Sequence, residues 1–209
     1  MSTLSTEQRS LLESATARFE AELAVDTAAQ TYLVGRGLTA AVARGHRIGS
    51  VPAGYPMFED YAGRLAIPYL TPAGVVDIRF RAMHGEEPKY LSRGGERVHI
   101  YNVLALQDDS DFIAIAEGEI DTMSAHTLCG IPCVGMAGVN AWKSWMSRAF
   151  GDYSTVFILC DGDDPGHEMG KKIRRDLDNG VVIHMPTGKD VNDMVLAEGP
   201  DWIRTKVGL

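Results

Sequence analysis

Apolar positions along the chain follow two rhythms. Leu4, Leu11, Leu12, Ala15, Phe19, Leu23 and Val25 recur at roughly helical spacing behind Ser5-Thr6-Glu7. This predicts one helix over 4–30. A second helix is expected over 27–35, ended by Gly35 and Gly37, and a short third one from Leu38 to Arg44, capped at Gly45. Residues 46–63 are loop-rich, with Pro52, Gly54, Pro56 and Gly63. The pattern then turns β-like. Arg64–Leu70 and Val75–Ala82 flank Thr71-Pro72-Ala73-Gly74, a hairpin signal, and a polar loop follows at 84–96.

From about residue 110 the rhythm becomes strand–helix–strand. Short apolar runs at Phe112–Ala116, Pro132–Met136, Thr155–Cys160 and Val181–Met185 read as strands. Between and after them, Ile120–Leu128, Ala141–Phe150, Pro165–Leu177, Asn192–Ala197 and Asp201–Thr205 read as helices. The alternation predicts an α/β fold, a mostly parallel sheet with helices on both faces, preceded by a smaller mixed α+β subdomain. The expected division is an N-terminal helix at 1–30, a subdomain at 31–107 and the α/β domain at 108–209, with the boundary in the acidic loop near 104–111.

The composition excludes some classes. Of 209 residues, 45% are hydrophobic and 23% charged, enough apolar surface to exclude disorder as the main state. No apolar run is long enough for a transmembrane helix, and the N-terminus lacks a signal-peptide core. Three cysteines in apolar neighbourhoods (Cys129, Cys133 and Cys160) point to a reducing compartment and away from a disulfide scaffold or a structural zinc. A net charge of −8 speaks at first against a nucleic-acid partner. The charge is uneven, however: −3 over residues 1–30, +3 over 31–107 and −8 over 108–209. Ordinary surface variation would give this, and so would a basic region for a polyanion combined with a carboxylate cluster that holds cations.

The acidic residues favour the second explanation. Glu117 and Glu119 follow the first strand of the α/β region, with Asp121 just beyond. Asp161, Asp163 and Asp164 follow the third strand, and Asp190 and Asp193 the fourth. In an open parallel sheet these positions gather at the C-terminal edge, where ligands bind. Crowded carboxylates repel, and hard cations such as Mg²⁺ or Mn²⁺ relieve the repulsion. Gly118 and Gly162 would allow close approach of backbone and metal. The plain alternative is helix capping, for instance by Asp121 or Asp164.

These residues resemble the TOPRIM fold shared by bacterial-type (DnaG-like) primases, type IA and II topoisomerases and some nucleases. Glu117 matches the family's glutamate after the first strand, and Asp161-Gly162-Asp163 matches its DxD. EGEID (117–121) and KDVND (189–193) are most similar to phage primase versions. Upstream, TYLVGRGLTAAVARGHRIGSVP (31–52), GRLAIPYLTPAGVVDIRFRA (63–82), EEPKYLS (86–92) and IYNVLAL (100–106) resemble successive pieces of the primase catalytic core, a half that topoisomerases and nucleases lack. Three departures stand out. The Lys-Gly step before IYNVLAL is missing, with Arg97 and His99 nearby. The family's second acid at the fourth strand is Asn192, followed by Asp193. The loop after the second strand reads GMAGVNAW.

The resemblance implies a DNA primase core that makes short RNA primers on single-stranded DNA from ribonucleoside triphosphates. Glu117, Asp161 and Asp163 would be catalytic, and with Asp190 would hold Mg²⁺ or Mn²⁺. Arg64, Arg81, Lys89 and Tyr90 match positions that bind template or nucleotide phosphates. A replicative helicase and a separate zinc-binding module are implied partners, and the host cytoplasm the implied location of a phage-encoded chain. Two other readings use the same features: a TOPRIM nuclease, and a non-catalytic module that binds single strands and recruits helicase. Lys171, Lys172, Arg174 and Arg175 are expected to form a solvated helix face, and Trp142 and Trp145 to pack rather than stack on bases.

Overall fold

The computed structural model describes residues 4–93, 98–138 and 140–209. Arg97 and Val139, which the sequence reading includes, lie outside the described residues. The chain divides into two compact units, Met1–Arg97 and Val98–Leu209.

In the first unit, helix α1 (Thr6–Leu23) begins at a reciprocal cap: the Ser5 hydroxyl accepts from the Gln8 amide, and the Gln8 side chain accepts from the Ser5 amide. α1 stops at Leu23, short of the expected 30. Asp26 ends the run by capping α2 (Thr27–Gly35), its carboxylate accepting from Ala29 N at 3.0 Å. Helix α3 (Ala40–Gly45) follows, capped by Thr39. Four antiparallel strands form one sheet in chain order: β1 (Gly49–Ser50), β2 (Leu65–Thr71), β3 (Gly74–Arg81) and β4 (Tyr90–Ser92). The expected hairpin is present, with Thr71 opposite Gly74. α1 packs on this sheet through Leu12, Ala15 and Phe19 against Ala66, Val75, Ile78 and Phe80. Gly49 is required there, because a Cβ would come within 2.4 Å of Phe19 Cβ.

The second unit is built on a four-stranded parallel sheet: β5 (Phe112–Ala116), β6 (Cys133–Gly135), β7 (Thr155–Cys160) and β8 (Gly180–His184), in the order β6-β5-β7-β8. Alternation along the strands supplies two cores. Ile113, Ile115, Val156 and Ile158 face one cluster with Met169 and Ile173 of α5 (Asp164–Asp176). Ala114, Ala116 and Leu159 face the other, with Met194 and Val195 of α6 (Val191–Glu198) and Ile203 of α7 (Pro200–Lys206). Helices therefore cover both faces of the sheet, as the strand–helix rhythm predicts.

Two segments differ from the sequence expectation. Residues 120–128 are helical, but α4 (Glu119–Met123) passes into a wider π turn at Ser124–Leu128. Residues 141–150 form only a 3₁₀ turn at Ser144–Ala149, because Lys143 is extended (φ −125°, ψ 137°). Trp142, Met146 and Phe150 still reach the core, and Trp142 Nε1 donates to Asp176 at 2.8 Å.

Candidate active site

In the parallel order β6-β5-β7-β8 the sheet builds one way from β5 to β6 and the other way from β7 to β8, and the switch point between β5 and β7 is where ligands bind in open α/β sheets. Ala116 is in register with Leu159, so Glu117 and Asp161 leave neighbouring strands at the same edge. Asp163 and Asp190 cap α5 and α6, accepting from Gly166 N at 2.8 Å and Asp193 N at 2.6 Å. Capping therefore accounts for one oxygen of each and leaves each carboxylate a second oxygen.

Asp161 is the electrostatic centre of the group. Burial, and then the charges of Asp121, Glu117, Asp190 and Asp163 in that order of size, together push its carboxyl up to about 8. Its Oδ1 is buried without a hydrogen-bond partner among the described residues. Asp121 acts on Asp161 more strongly than any of the expected site acids. It is 7% exposed, and its Oδ1 accepts from Asn192 N at 2.9 Å. The sequence places Asp121 next to the site but gives no sign of this rank, which depends on the turn of α4. Asn192, where the family has an acid, is a structural tie: fully buried, its side chain donates to Ser124 Oγ at 2.9 Å. Glu119, the neighbour of Glu117 in EGEID, is also fully buried.

The glycines have more specific roles than metal approach. A Cβ on Gly162 would lie 1.9 Å from Pro186 O, whereas on Gly118 it would meet only the Asp121 carboxylate, at 3.1 Å. Gly162 N donates to Lys189 O and Gly188 N donates to Gly162 O, both at 2.8 Å. The loop carrying Asp161 and Asp163 is thus laced to the loop carrying Asp190.

The donor set fits a hard divalent cation. It consists of carboxylate oxygens, one of them buried and unpartnered, under mutual repulsion that positive charge would relieve. Cys160 adjoins it, but burial pushes that thiol up to about 12, so it offers no thiolate. Among the described residues no three His, Cys, Asp or Glu side chains are gathered closely enough to hold a metal ion. Two of the expected ligands are turned to their helix caps.

The expected phosphate-binding residues lie in the first unit. Arg64 is buried, and its Nη1 donates to Pro88 O at 2.8 Å. Arg81, 5% exposed, donates from Nε to the Tyr32 hydroxyl at 2.6 Å and from Nη1 to the Tyr90 hydroxyl. Lys89 is exposed. The ring of Tyr90 carries two guanidinium groups, Arg79 at 4.3 Å and Arg81 at 5.0 Å from its centroid. Arg79 and Tyr32 are additions to the expected set. Arg79 could have been found, because alternate residues of a strand share a face and Arg79 and Arg81 are two apart. Tyr32 comes from α2, 49 residues before Arg81, and no local signal marks it.

Elsewhere the plain readings hold. Lys171 pairs with Glu168 at 2.7 Å on a solvated helix face, and Trp142 is buried, although Trp145 is 52% exposed. The three cysteines are free and buried. Among the described residues no helix is long and apolar enough to cross a membrane.

Switch-point acids on a parallel sheet, preceded by a unit of buried arginines in an antiparallel sheet, define the class: the fold is that of DnaG-type primase catalytic cores. A family described as Toprim-like matches residues 114–195. A solved DnaG primase catalytic domain bound to single-stranded DNA superposes with a TM-score of 0.81 at 19% identity, over 95% of this chain and 77% of that one. The DNA primase of Pseudomonas aeruginosa is 22% identical over 86% of this chain, which spans about a third (34%) of that relative. The Gene 57 protein of Mycobacterium phage D29 is 41% identical over 152 residues, 70% of this chain and 99% of the phage protein. The chain belongs to the family of that phage protein, and it carries a Toprim-like region within a fold like that of DnaG primase catalytic cores.

Proposed function

We propose that this chain is a primase catalytic core that synthesises short RNA primers on single-stranded DNA by nucleotidyl transfer during phage DNA replication. One observation carries the reading. Asp161 is a half-buried carboxyl held up to about 8 by burial and by neighbouring acids, at the switch point of a primase-type fold. A site so charged gains nothing from binding phosphates unless a cation intervenes, which weighs against a pure binding module.

Asp161, Asp163 and Asp190, with Glu117, would hold Mg²⁺ or Mn²⁺. The cation would supply charge neutralisation to the phosphoryl group in transfer. Glu117 would serve as a ligand or as the base for the primer's 3′-hydroxyl proton, and Glu117→Gln, which keeps an oxygen donor but no base, separates the two. Arg64, Arg81 and Lys89 would hold template or triphosphate oxygens. Tyr90 would act through Arg81, as an acceptor that fixes the guanidinium fork. A helicase and a zinc-binding module are the proposed partners, in the cytoplasm of the host.

The test is incubation with single-stranded DNA, labelled ribonucleotides and Mg²⁺ or Mn²⁺, beside an Asp161→Ala/Asp163→Ala control. Short oligoribonucleotides absent from the control are expected. Shortened template in their place would make the protein a nuclease. If neither product forms, a pre-annealed primer separates failed initiation from absent catalysis.

A further inference from the structure

The first unit holds an open cavity of about 410 Å³ lined by Thr27, Ala28, Thr31, Tyr32 and His84. Its size lies in the range of small-molecule sites. None of the five belongs to the expected binding set, yet the cavity shares a wall with it, since Tyr32 accepts the Nε hydrogen bond of Arg81. We infer that this cavity is a nucleobase slot, in which the Tyr32 ring stacks on one base of a bound nucleotide. The inference rests on the primase reading for the identity of the ligand.

Three features support it. The first is the contrast between the two tyrosines that hold Arg81. Tyr90 is engaged by Arg79 at 4.3 Å and Arg81 at 5.0 Å. Around Tyr32 the guanidinium groups of Arg36 and Arg81 lie farther from the ring centroid, at 5.8 and 5.9 Å, near the outer limit of a cation–π contact. Arg81 meets Tyr32 at its hydroxyl, so that bond leaves the ring as cavity wall. The second is charge. His84 lines the cavity and Arg36 and Arg81 stand beside the Tyr32 ring; the acids that act on His84 are Asp26, itself engaged by Ser50 and Ala29, and Glu86, which accepts from the His84 amide. Aromatic platforms beside cations are the usual means of holding single-stranded nucleic acid. The third is polar capacity. The Thr31 hydroxyl donates to Thr27 O at 2.8 Å, which leaves its oxygen an acceptor for a base amino or imino group.

The experiment uses the full chain and two readouts that need no catalysis. A single-stranded oligonucleotide carrying 5-iodouracil is photo-crosslinked to the protein and the adduct mapped by mass spectrometry. Labelled oligonucleotide is also titrated with wild type, Tyr32→Phe, Tyr32→Leu and Ala28→Phe. Ala28→Phe fills the cavity from an exposed helix position and leaves Tyr32 and Arg81 intact. A crosslink at Tyr32 is expected, with affinity lost about 10-fold in Tyr32→Leu and Ala28→Phe and less than that in Tyr32→Phe, which keeps the ring and loses only the acceptor of Arg81 Nε. Tyr32→Leu and Ala28→Phe binding like wild type, with crosslinks only elsewhere, would overturn the slot. ATP that competes with the crosslink assigns the slot to the base of an incoming nucleotide. ATP that does not compete assigns it to the strand. A Tyr32 crosslink in a protein that makes no primers would sustain the slot and sink the primase reading, and primers made by Tyr32→Leu at the wild-type rate and affinity would do the reverse.

Discussion

The two units bury charge in opposite ways. In the first, Arg81 is 5% exposed and bonded to two phenol oxygens, dipoles that engage two of its donors without cancelling its charge. In the second, Asp161 lies among four acids that raise its proton affinity, with one oxygen unpartnered. Arg47 shows what a purely structural ion looks like: Glu13 at 2.8 Å and Glu20 at 3.0 Å neutralise it and tie α1 to the start of the sheet. Hydrogen-bond satisfaction and charge compensation are separate conditions, and a buried ion that lacks the second is costly to keep. The two units meet this condition differently: Arg81 keeps its charge, whereas the Asp161 carboxyl is pushed up to about 8 and holds its proton.

The comparison breaks most visibly at Asp161. Asp161→Asn should lower primer synthesis about 100-fold or more while the chain stays folded. Comparable activity in a gel assay would remove Asp161 from the site. The same substitution sharpens the electrostatic argument. With a folded value near 8 against an ordinary 3.8, Asp161 retains a proton on folding that the unfolded chain releases. This contribution lowers stability as pH rises from about 4 to about 8, then levels off. In EDTA the wild-type melting temperature should fall relative to Asp161→Asn across that window, and Mg²⁺ should raise it again at pH 8 in the wild type alone. A difference that stays flat with pH would contradict the raised value.

Gly162→Ala comes next. Its Cβ would meet Pro186 O at 1.9 Å, so the two loops must separate, at a cost of about 1–3 kcal/mol measurable by urea denaturation. Arg81→Lys should weaken nucleotide or single-strand binding about 10-fold, because an ammonium cannot reproduce the fork fixed by the two tyrosines. Arg47→Lys should alter stability and leave binding unchanged, and the pair of titrations separates a binding arginine from a structural one. The smallest effect belongs to Lys171→Ala, which should stay within about 0.5 kcal/mol of wild type, because its pair with Glu168 is 72% exposed on both sides.

Much of the second unit is legible in the sequence because its strands are short apolar runs buried on both faces. Phe112–Ala116 and Thr155–Cys160 can be delimited to the residue, and the acids that follow them could be assigned to one edge. Legibility fails where a side chain overrides the apolar spacing. The stripe from Leu4 to Val25 runs on into Asp26, but Asp26 caps a new helix and Val25 is 72% exposed. Trp142, Met146 and Phe150 sit four apart, the spacing of a helix, yet an extended Lys143 separates the first from the others. At the site, the identity of the acids was readable and their ranking was not, since the strong charge effect of Asp121 on Asp161 depends on the folded placement of Asp121, whose carboxylate accepts from Asn192 N, 71 residues away. The same holds for Tyr32, whose partnership with Arg81 exists only once α2 and β3 are folded together.

The lacing of Gly162 to Gly188 and Lys189 has a consequence for dynamics. Loops that carry functional residues are ordinarily among the first parts of a protein to open. Here the amides of Gly162 and Gly188 are donated across two loops, as strand amides are across a ladder. Their hydrogen exchange should therefore be as slow as that of neighbouring β7, released only when that part of the sheet opens with them. Exchange at the pace of an ordinary surface loop would show that the platform under the acids is softer than its hydrogen bonds suggest.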